Sequence, residues 1–257
     1  MRQVLIIPNR DHMKECLELS AEYQLGFEYN DFFWPHILEN GKDTEEIIAE
    51  YKKYELPAYT TLHGAFFDVI PFSMDAKIRE IANLRIEQSI RAARKLGAKA
   101  VVFHTNYNPF LNSADYVKIW IKDNAKYWAK VLERHSDINL YLENMFDTDP
   151  YIMQELSAVL CQYNNYGVCL DYAHASLSKV APELWAKQLH QYIKHVHIND
   201  NDLVSDLHLA WGDGKINREV FYATCAEYLQ DATILVETTP MKNKIRSLEM
   251  MRKEGFL

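Results

Sequence analysis

Four ionisable residues, each at the end of a short apolar run, have the side chains needed to hold a divalent cation. They are Glu143 in LYLENM, Asp171 in VCLDYAHA, His197 in KHVHIND and Glu237 in ILVETTP. Three carboxylates and one imidazole suit Mn2+, Co2+, Zn2+ or Mg2+, and the set lacks the thiolates of structural zinc sites. Three carboxylates gathered without a cation would repel one another. We therefore expect a metal ion among these four residues.

A second set of ionisable residues accompanies the first. Two histidines end further apolar runs, in YTTLHGAF and AVVFHTNY, a third follows Asp171 by three residues, and a D-x-H pair lies in DLHLAWGDGKIN. The set comprises His63, His104, His174, Asp206 and His208. Such residues bind either substrate or additional ions, so one to three metal ions are expected. His195 precedes His197 by two residues and is interpreted as a supporting core histidine, not a ligand.

The elements that must position these residues are short apolar runs alternating with amphipathic stretches. The strand-like runs are Val4–Pro8, Gly26–Tyr29, Ala58–His63, Ala100–His104, Asn139–Glu143, Gly167–Asp171, Lys194–Ile198 and Thr233–Glu237. Helical periodicity is clearest over Asp75–Gly97, with Gly97 where a helix C-cap belongs, and it recurs over Ser113–Arg134 and Asn217–Leu229. Alternation of this kind indicates βαβ units and a parallel sheet.

Eight such units in 257 residues predict an α/β fold, a single (β/α)8 TIM barrel spanning residues 1–257. An open doubly wound sheet is the alternative, but no glycine-rich phosphate loop follows the first strand. In a closed barrel, the carboxyl ends of all strands surround one mouth, where active sites lie. The ionisable strand ends would therefore meet there.

The composition limits the partners. The formal net charge is −8 and the pI about 5.7, which disfavours a nucleic-acid partner. The basic residues Arg10, Lys14, Lys242 and Lys244 near the loops are too sparse to grip a duplex. Four scattered cysteines, a short apolar start and the absence of long apolar runs predict reduced thiols, a cytoplasmic location and no membrane association. An aromatic-rich, acidic surface is compatible with a homo-oligomer.

Several side chains near the mouth are candidates for binding a substrate. Aromatic residues could stack on a sugar ring, although aromatics more often fill cores. The aromatic candidates are Phe33, Trp34, Phe66, Tyr107 and Trp211. Trp211 is favoured because it lies in the DLHLAWGDG loop, and Glu28 could line the pocket from the second strand or support it from below.

These motifs together resemble the xylose-isomerase-like TIM barrel superfamily. The segments that carry the resemblance are LHGAF, VVFH, LEN, CLDYAHA, HVHIND, DLHLAWGDGKIN and VET, and they span residues 63 to 237. In the sugar isomerase and epimerase branch, the resemblance implies one Mn2+-like ion on Glu143, Asp171, His197 and Glu237. It also implies that Glu143 and Glu237 are the acid/base pair and that His174 contacts substrate.

The expected activity is a metal-dependent isomerisation or epimerisation of a small sugar or sugar phosphate through an enediolate. A cation chelated by a carbonyl and a neighbouring hydroxyl acidifies the adjacent C–H, and a carboxylate moves the proton. Dehydration by a related lyase is an alternative, as is a barrel that binds sugar without turnover. The absence of an arginine in NDNDLVSD, where 3-epimerases have one, speaks against ketose 3-epimerisation.

The endonuclease IV branch is the main rival. There the resemblance implies three zinc ions held by nine residues, and all nine have a counterpart in this chain. These are His63, His104, Glu143, Asp171, His174, His197, Asp206, His208 and Glu237. The isomerase-like loop His63-Gly64-Ala65-Phe66 and the lack of a basic, aromatic-rich DNA-binding loop favour the sugar branch.

Overall fold

Eight parallel strands close into a barrel in the order of the sequence. The computed structural model describes residues 2–66 and 68–257. The strands are β1 (Val4–Ile6), β2 (Gly26–Tyr29), β3 (Thr60–His63), β4 (Ala100–His104), β5 (Asn139–Glu143), β6 (Tyr166–Asp171), β7 (Ile193–Ile198) and β8 (Thr233–Val236). The last strand pairs with the first, Leu5 lying opposite Leu235. The predicted (β/α)8 fold is confirmed.

Helices pack around the barrel and connect successive strands. They are α1 (Met13–Tyr23), α2 (Pro35–Glu39), α3 (Gly41–Tyr51), α4 (Ala76–Leu96), α5 (Ala114–Arg134), α6 (Tyr151–Leu160), α7 (Tyr172–Ser176), α8 (Pro182–Leu189), α9 (Arg218–Tyr228) and α10 (Met241–Lys253). Short 3-10 turns at Arg10–His12 and Asp31–Phe33 follow β1 and β2. None of these helices is long and apolar enough to cross a bilayer, as far as the described residues extend.

Local sequence signals determine the ends of the predicted helices. The Asp75 side chain accepts a hydrogen bond from the Lys77 N–H at the start of α4, and Gly97 ends the helix with φ at +72°. Ser113 and Asn217 cap α5 and α9 in the same way. Side-chain caps satisfy N–H groups that lack an intrahelical partner, and glycine tolerates the left-handed conformation.

Strand boundaries differ from prediction by one or two residues. The first strand ends at Ile6, before Pro8, which lacks the N–H needed for a strand hydrogen bond. Glu237 lies one residue beyond β8, but its N–H donates to the Ile198 carbonyl at 2.8 Å and keeps it attached to β7. All four cysteines are free thiols.

Candidate metal centre and cavity

The strand register places ionisable residues side by side at the carboxyl end of the barrel. His104 lies opposite Glu143 across β4 and β5, and Asp171 lies opposite His197 across β6 and β7. The second pairing follows a register shift between Val168 and Cys169. Opposed residues of parallel strands point to the same face, so these side chains all enter the barrel interior.

The central cluster consists of Glu143, Asp171 and His197, with Glu237 beside it. The first three residues are completely buried, and one ligand atom from each lies within 4.8 Å of the others. Nδ1 of His197 lies 3.2 Å from Oε1 of Glu143 and 3.7 Å from Oε2 of Glu237. The four residues singled out first in the sequence are therefore brought together.

A second cluster shares Glu143 with the first. Oε2 of Glu143 lies 3.1 Å from Nε2 of His104 and 3.5 Å from Nε2 of His63. The two histidine Nε2 atoms are 3.1 Å apart. Because Oε1 of Glu143 faces His197 and Oε2 faces the two histidines, this carboxylate belongs to both clusters.

The third cluster lies nearer to solvent. Oδ2 of Asp206 is 3.2 Å from Nε2 of His174 and 3.1 Å from Nε2 of His208. His208 approaches the central cluster through Nδ1, which is 3.9 Å from Oε2 of Glu237. All nine residues predicted to form the ring thus lie in three contiguous clusters.

Three of the histidines share one arrangement, in which Nδ1 contacts a backbone carbonyl and Nε2 faces its cluster. The pairs are His63 with Gly64 at 2.9 Å, His174 with Asn144 at 3.0 Å and His208 with Glu237 at 3.1 Å. An imidazole that donates from Nδ1 keeps the Nε2 lone pair for a metal.

Glu28 lies beneath the centre and supports His197 from below. It is completely buried, and its carboxylate lies 3.1 Å from Nε2 of His197 and 3.2 Å from Nε2 of His195. The Thr61 hydroxyl also donates to it at 2.7 Å. Of the two roles expected for Glu28, lining the pocket or supporting it from below, the complete burial of its carboxylate fits the second. A carboxylate behind a histidine fixes the orientation of the ring, here with Nδ1 directed at the centre.

Polar atoms without partners support the metal interpretation. Both oxygens of Glu143, Oδ2 of Asp171, Oε2 of Glu237 and both nitrogens of His197 are buried, and none makes a hydrogen bond of good geometry with a described residue, although ionisable partners lie as close as 3.1 Å. Leaving buried polar atoms unsatisfied is costly. Their convergence at one place fits a divalent cation, and the mixed oxygen and nitrogen donors suit Zn2+, Mn2+ or Co2+.

The protonation pattern of the metal-free centre reflects the crowding of charges. Burial, reinforced by Glu237 and Glu143, raises the pKa of Asp171 to about 7. Burial also opposes ionisation of Glu143, but His197 and His104 outweigh it and hold the pKa of that carboxyl well below its usual range. Burial lowers the pKa of His208, yet the hydrogen bond to Asp206 and the nearby Glu237 raise it to about 10.

A cavity of about 370 Å³ opens onto these clusters, and we call it the metal cavity. Its ionisable wall is formed by His63, His104, His174, Asp206, His208 and Glu237. Its apolar lining includes Phe33, Phe66, Met145 and Phe146. Phe66, a candidate for stacking on a substrate, therefore lies at the cavity. No lysine or arginine lines it in the described part of the chain.

Trp211 and Tyr107, two candidates for stacking on a sugar ring, lie away from the metal cavity. Trp211 is completely buried, its ring packs 5.0 Å from that of Phe221, and its indole N–H donates to the Tyr222 hydroxyl at 3.0 Å. It therefore fills the core beside the barrel and cannot stack on a substrate. Tyr107 is also buried and packs against Trp120.

Asp200, which the sequence patterns did not single out, holds the loop that carries the D-x-H pair. The buried Asp200 carboxylate accepts hydrogen bonds from the N–H groups of Gly212 and Ile216, at 2.9 and 3.0 Å. The loop passes so close that a Cβ on Gly214 would lie 2.3 Å from Oδ1 of Asp200. Asp200 directly follows the strand-seven segment HVHIN, but nothing local distinguished it from an exposed loop aspartate.

A further group comprises Cys169, His195 and His197, also within 4.8 Å of one another and buried. Burial raises the pKa of the Cys169 thiol well above its usual range, which keeps it neutral. Both nitrogens of His195 already face partners, Thr233 and Glu28. This agrees with the expectation that His195 is a supporting core histidine, and the buried Cys169 is a core residue as well.

Comparison with known proteins identifies the protein family. The sequence profile of the xylose isomerase-like TIM barrel family matches residues 18–254, and the chain belongs to this family. Its buried clusters of His, Asp and Glu are those of a metal-dependent enzyme of that family.

Particular relatives lie in more than one branch. The uncharacterized protein MJ1311 of Methanocaldococcus jannaschii is 27% identical over 241 residues, covering 84% of this chain and 82% of its own. A probable endonuclease 4 of Mycobacterium leprae is 26% identical over 202 residues, covering 73% and 75%.

Two solved structures share the fold across nearly the whole chain. The TTHB071 protein from Thermus thermophilus, soaked with ZnCl2, has a TM-score of 0.78 and 22% identity, covering 98% of this chain and 97% of its own. A D-tagatose 3-epimerase-like protein has a TM-score of 0.76 and 24% identity, covering 100% and 98%.

Proposed function

We propose that the chain is a divalent-metal-dependent isomerase or epimerase of a small sugar or sugar phosphate, working by proton transfer through an enediolate. The observation that carries this proposal is the metal cavity. Its volume of about 370 Å³ lies within the range of small-molecule sites, and its lining combines ionisable side chains with apolar ones. Without a lysine or arginine in its described lining, the cavity is poorly suited to a polyanionic duplex.

A bound cation would polarise the carbonyl of the substrate and acidify the neighbouring C–H. Glu143, Asp171 and His197 would hold it, with Glu28 orienting His197 from below. The aromatic side chains Phe33 and Phe66 in the lining would limit the access of water to the reacting carbon.

Glu237 is the carboxylate placed to move the proton. It lines the metal cavity and is 8% exposed, whereas Glu143 is completely buried with both oxygens facing imidazoles. We therefore assign proton transfer to Glu237 and propose that Glu143 serves only as a metal ligand. This differs from the resemblance, which implies that both carboxylates act as acid and base.

The test is exchange of substrate hydrogen with solvent. Metal-loaded protein is incubated in D2O with a panel of ketoses, aldoses and their phosphates, and deuterium at the carbon beside the carbonyl is followed by NMR. Glu237→Gln should slow exchange by about 10²- to 10⁴-fold. Glu219→Gln, an exposed glutamate on α9, should leave exchange unchanged. Absence of exchange for every sugar, or full exchange in Glu237→Gln, would refute the proposal.

One observation favours a second candidate, phosphodiester hydrolysis. Eight of the nine ring residues form three clusters, two of which share Glu143, and Glu237 lies beside the central one, an arrangement suited to several ions acting together. Three bound ions per chain together with chelator-sensitive incision of an abasic duplex would establish this activity. One ion per chain and an intact duplex would exclude it.

A further inference from the structure

A second cavity lies beside the metal cavity, where the segments after β1 and β2 meet. Its volume is about 370 Å³, and we call it the Trp34 cavity. It shares four lining residues with the metal cavity, namely Ile7, Asn30, Phe33 and Thr239. The two spaces therefore adjoin. Each is large enough by itself for a small molecule, so a ligand confined to the metal cavity leaves the Trp34 cavity unused.

A run of aromatic rings connects the two cavities. The centroid of the Phe33 ring lies 6.0 Å from that of the His63 imidazole and 4.8 Å from that of the Trp34 ring. Phe33 lines both cavities, and Trp34 continues the run into the second one. Trp34 is 46% exposed, which leaves part of its ring accessible to a ligand. Flat aromatic faces of this kind can stack on the ring of a sugar.

The charges at the Trp34 cavity are matched within the protein. Nε of Arg10 lies 2.8 Å from Oδ1 of Asp31, and Nη1 lies 2.8 Å from Oε2 of Glu50. The Tyr51 hydroxyl also donates to Asp31 at 2.6 Å. Arg10 is the one lysine or arginine in the described lining, and two carboxylates face it. Because these carboxylates already occupy the guanidinium, a neutral polar ligand fits the cavity better than a phosphate does.

Hydrogen-bonding groups remain available for such a ligand. Asn30 precedes the 3-10 turn at Asp31–Phe33, but its side chain does not cap this turn. Its Oδ1 is buried and accepts no hydrogen bond from the described residues, which is costly unless a ligand or water donates to it. The ion pairs of Arg10 use Nε and Nη1, whereas a guanidinium has five N–H donors. Sugar hydroxyls both donate and accept, so they can satisfy Asn30 and Arg10 together.

We propose that the Trp34 cavity binds the second ring of a disaccharide whose reducing-end unit occupies the metal cavity. This inference rests on the proposed function and specifies its substrate class. The reducing-end unit can open to the carbonyl from which an enediolate forms, whereas the other unit is locked by its glycosidic bond and needs only to be held. Trp34 would therefore determine specificity through a part of the substrate that does not react.

The test is calorimetric titration of the metal-loaded protein with maltitol, isomaltitol, cellobiitol and lactitol, and with D-glucitol for comparison. Each of the four carries one sugar ring on a glucitol unit, and none has a carbonyl, so binding is measured without turnover. At least one of the four should bind about tenfold more tightly than glucitol. Trp34→Ala should abolish this difference and leave the affinity for glucitol unchanged.

Two further variants define the contribution of the ring. Trp34→Tyr keeps an aromatic face and should retain most of the difference between the disaccharide alditol and glucitol. Phe110→Ala removes an aromatic side chain that is 90% exposed and lines neither cavity, and it is the matched control that should bind like wild type. If Trp34→Ala does not fold, Trp34→Leu, which keeps apolar bulk without the ring, decides by the same criteria.

The outcomes separate this inference from the proposed function. Equal binding of glucitol and all four alditols, or a difference that persists in Trp34→Ala, would refute the disaccharide site. Tighter binding of a thymidine dinucleotide than of every alditol, lost in Trp34→Ala, would also refute it and assign the cavity to nucleic acid. Deuterium exchange of monosaccharides without any gain from a second ring would leave the isomerase intact. A gain that depends on Trp34, without deuterium exchange for any sugar, would refute the isomerase alone.

Discussion

At the scale of single residues, the centre depends on side chains that do not touch the metal cavity. Glu28 contacts both His195 and His197 within the barrel and is completely closed off from solvent. A ligand imidazole that loses such a partner can rotate or change tautomer. Glu28 therefore affects metal affinity although it binds no metal itself.

Glu28→Gln is expected to weaken Zn2+ binding about 10- to 100-fold, because the amide lacks the charge that favours donation from Nε2 of His197. Competition with a chromophoric chelator measures the effect. Glu18→Gln, an exposed change on α1, should retain wild-type affinity. Unchanged Zn2+ affinity in Glu28→Gln would show that the contact between Glu28 and His197 does not affect metal binding. Glu28→Asp, which keeps the charge, should recover part of any loss of affinity.

At the scale of elements, the loop after β7 brings Asp206 and His208 to the mouth. A short antiparallel bridge between Asp200 and Leu209 closes the loop, and the Asp200 carboxylate accepts three backbone N–H groups, including that of Asn201. The third cluster is thus only as well ordered as this loop.

Asp200→Ala should destabilise the metal-free protein by about 3 kcal/mol, because buried N–H groups lose a charged acceptor. Urea unfolding measures this, and the variant should also retain fewer zinc ions. Asp202→Ala removes an acceptor from the Val204 and Ser205 N–H groups nearer the surface and should cost less than about 1 kcal/mol. Equal losses in the two variants would contradict the proposed role of Asp200.

The sequence predicted elements better than their packing. Caps such as Asp75, Ser113 and Asn217 act through neighbours two or three residues away, so they are readable locally. The burial of His135, which follows the last residue of α5 and contacts Glu87, has no such local signal. Trp211 lies in the core because its ring packs against Phe221, and its backbone N–H donates to Ser247 of α10, 36 residues away.

The site was predictable for a related reason. Seven of its nine ionisable residues stand at or just beyond strand ends, which the barrel topology brings together, whereas Asp206 and His208 lie in the loop after β7. The supporting role of Glu28 was not predictable, because β2 meets the histidines of β7 only across the barrel interior. Long-range contacts of this kind leave no periodic signal in the chain.

At the scale of the whole molecule, proton and metal compete for one centre. In the metal-free protein the pKa of His208 is raised to about 10, that of Asp171 is raised to about 7, and that of His174 lies well above its ordinary value. A raised pKa means that the proton is held at neutral pH. Metal binding must release it.

Zn2+ affinity should therefore rise between pH 6 and 8, by roughly tenfold per pH unit for each displaced proton. Calorimetry in buffers of different ionisation enthalpy counts the protons released. The gain should end as pH passes the pKa of His208, since no proton then remains to displace. A pH-independent affinity would contradict the protonation pattern. His208→Gln should reduce the increase in Zn2+ affinity per pH unit. His190→Gln, which changes an exposed histidine in a turn outside the clusters, should leave that increase unchanged.

The candidate metal ligands and the apolar wall of the metal cavity come from different parts of the fold. Ligands such as His104, Glu143 and His197 belong to strands, whereas Phe33, Phe66 and Phe146 belong to the connecting segments. Mutations of the phenylalanines can therefore change substrate preference without changing the residues that would hold the metal. A library that randomises the three phenylalanines should yield variants of altered sugar preference that still load metal, making the scaffold a starting point for directed evolution.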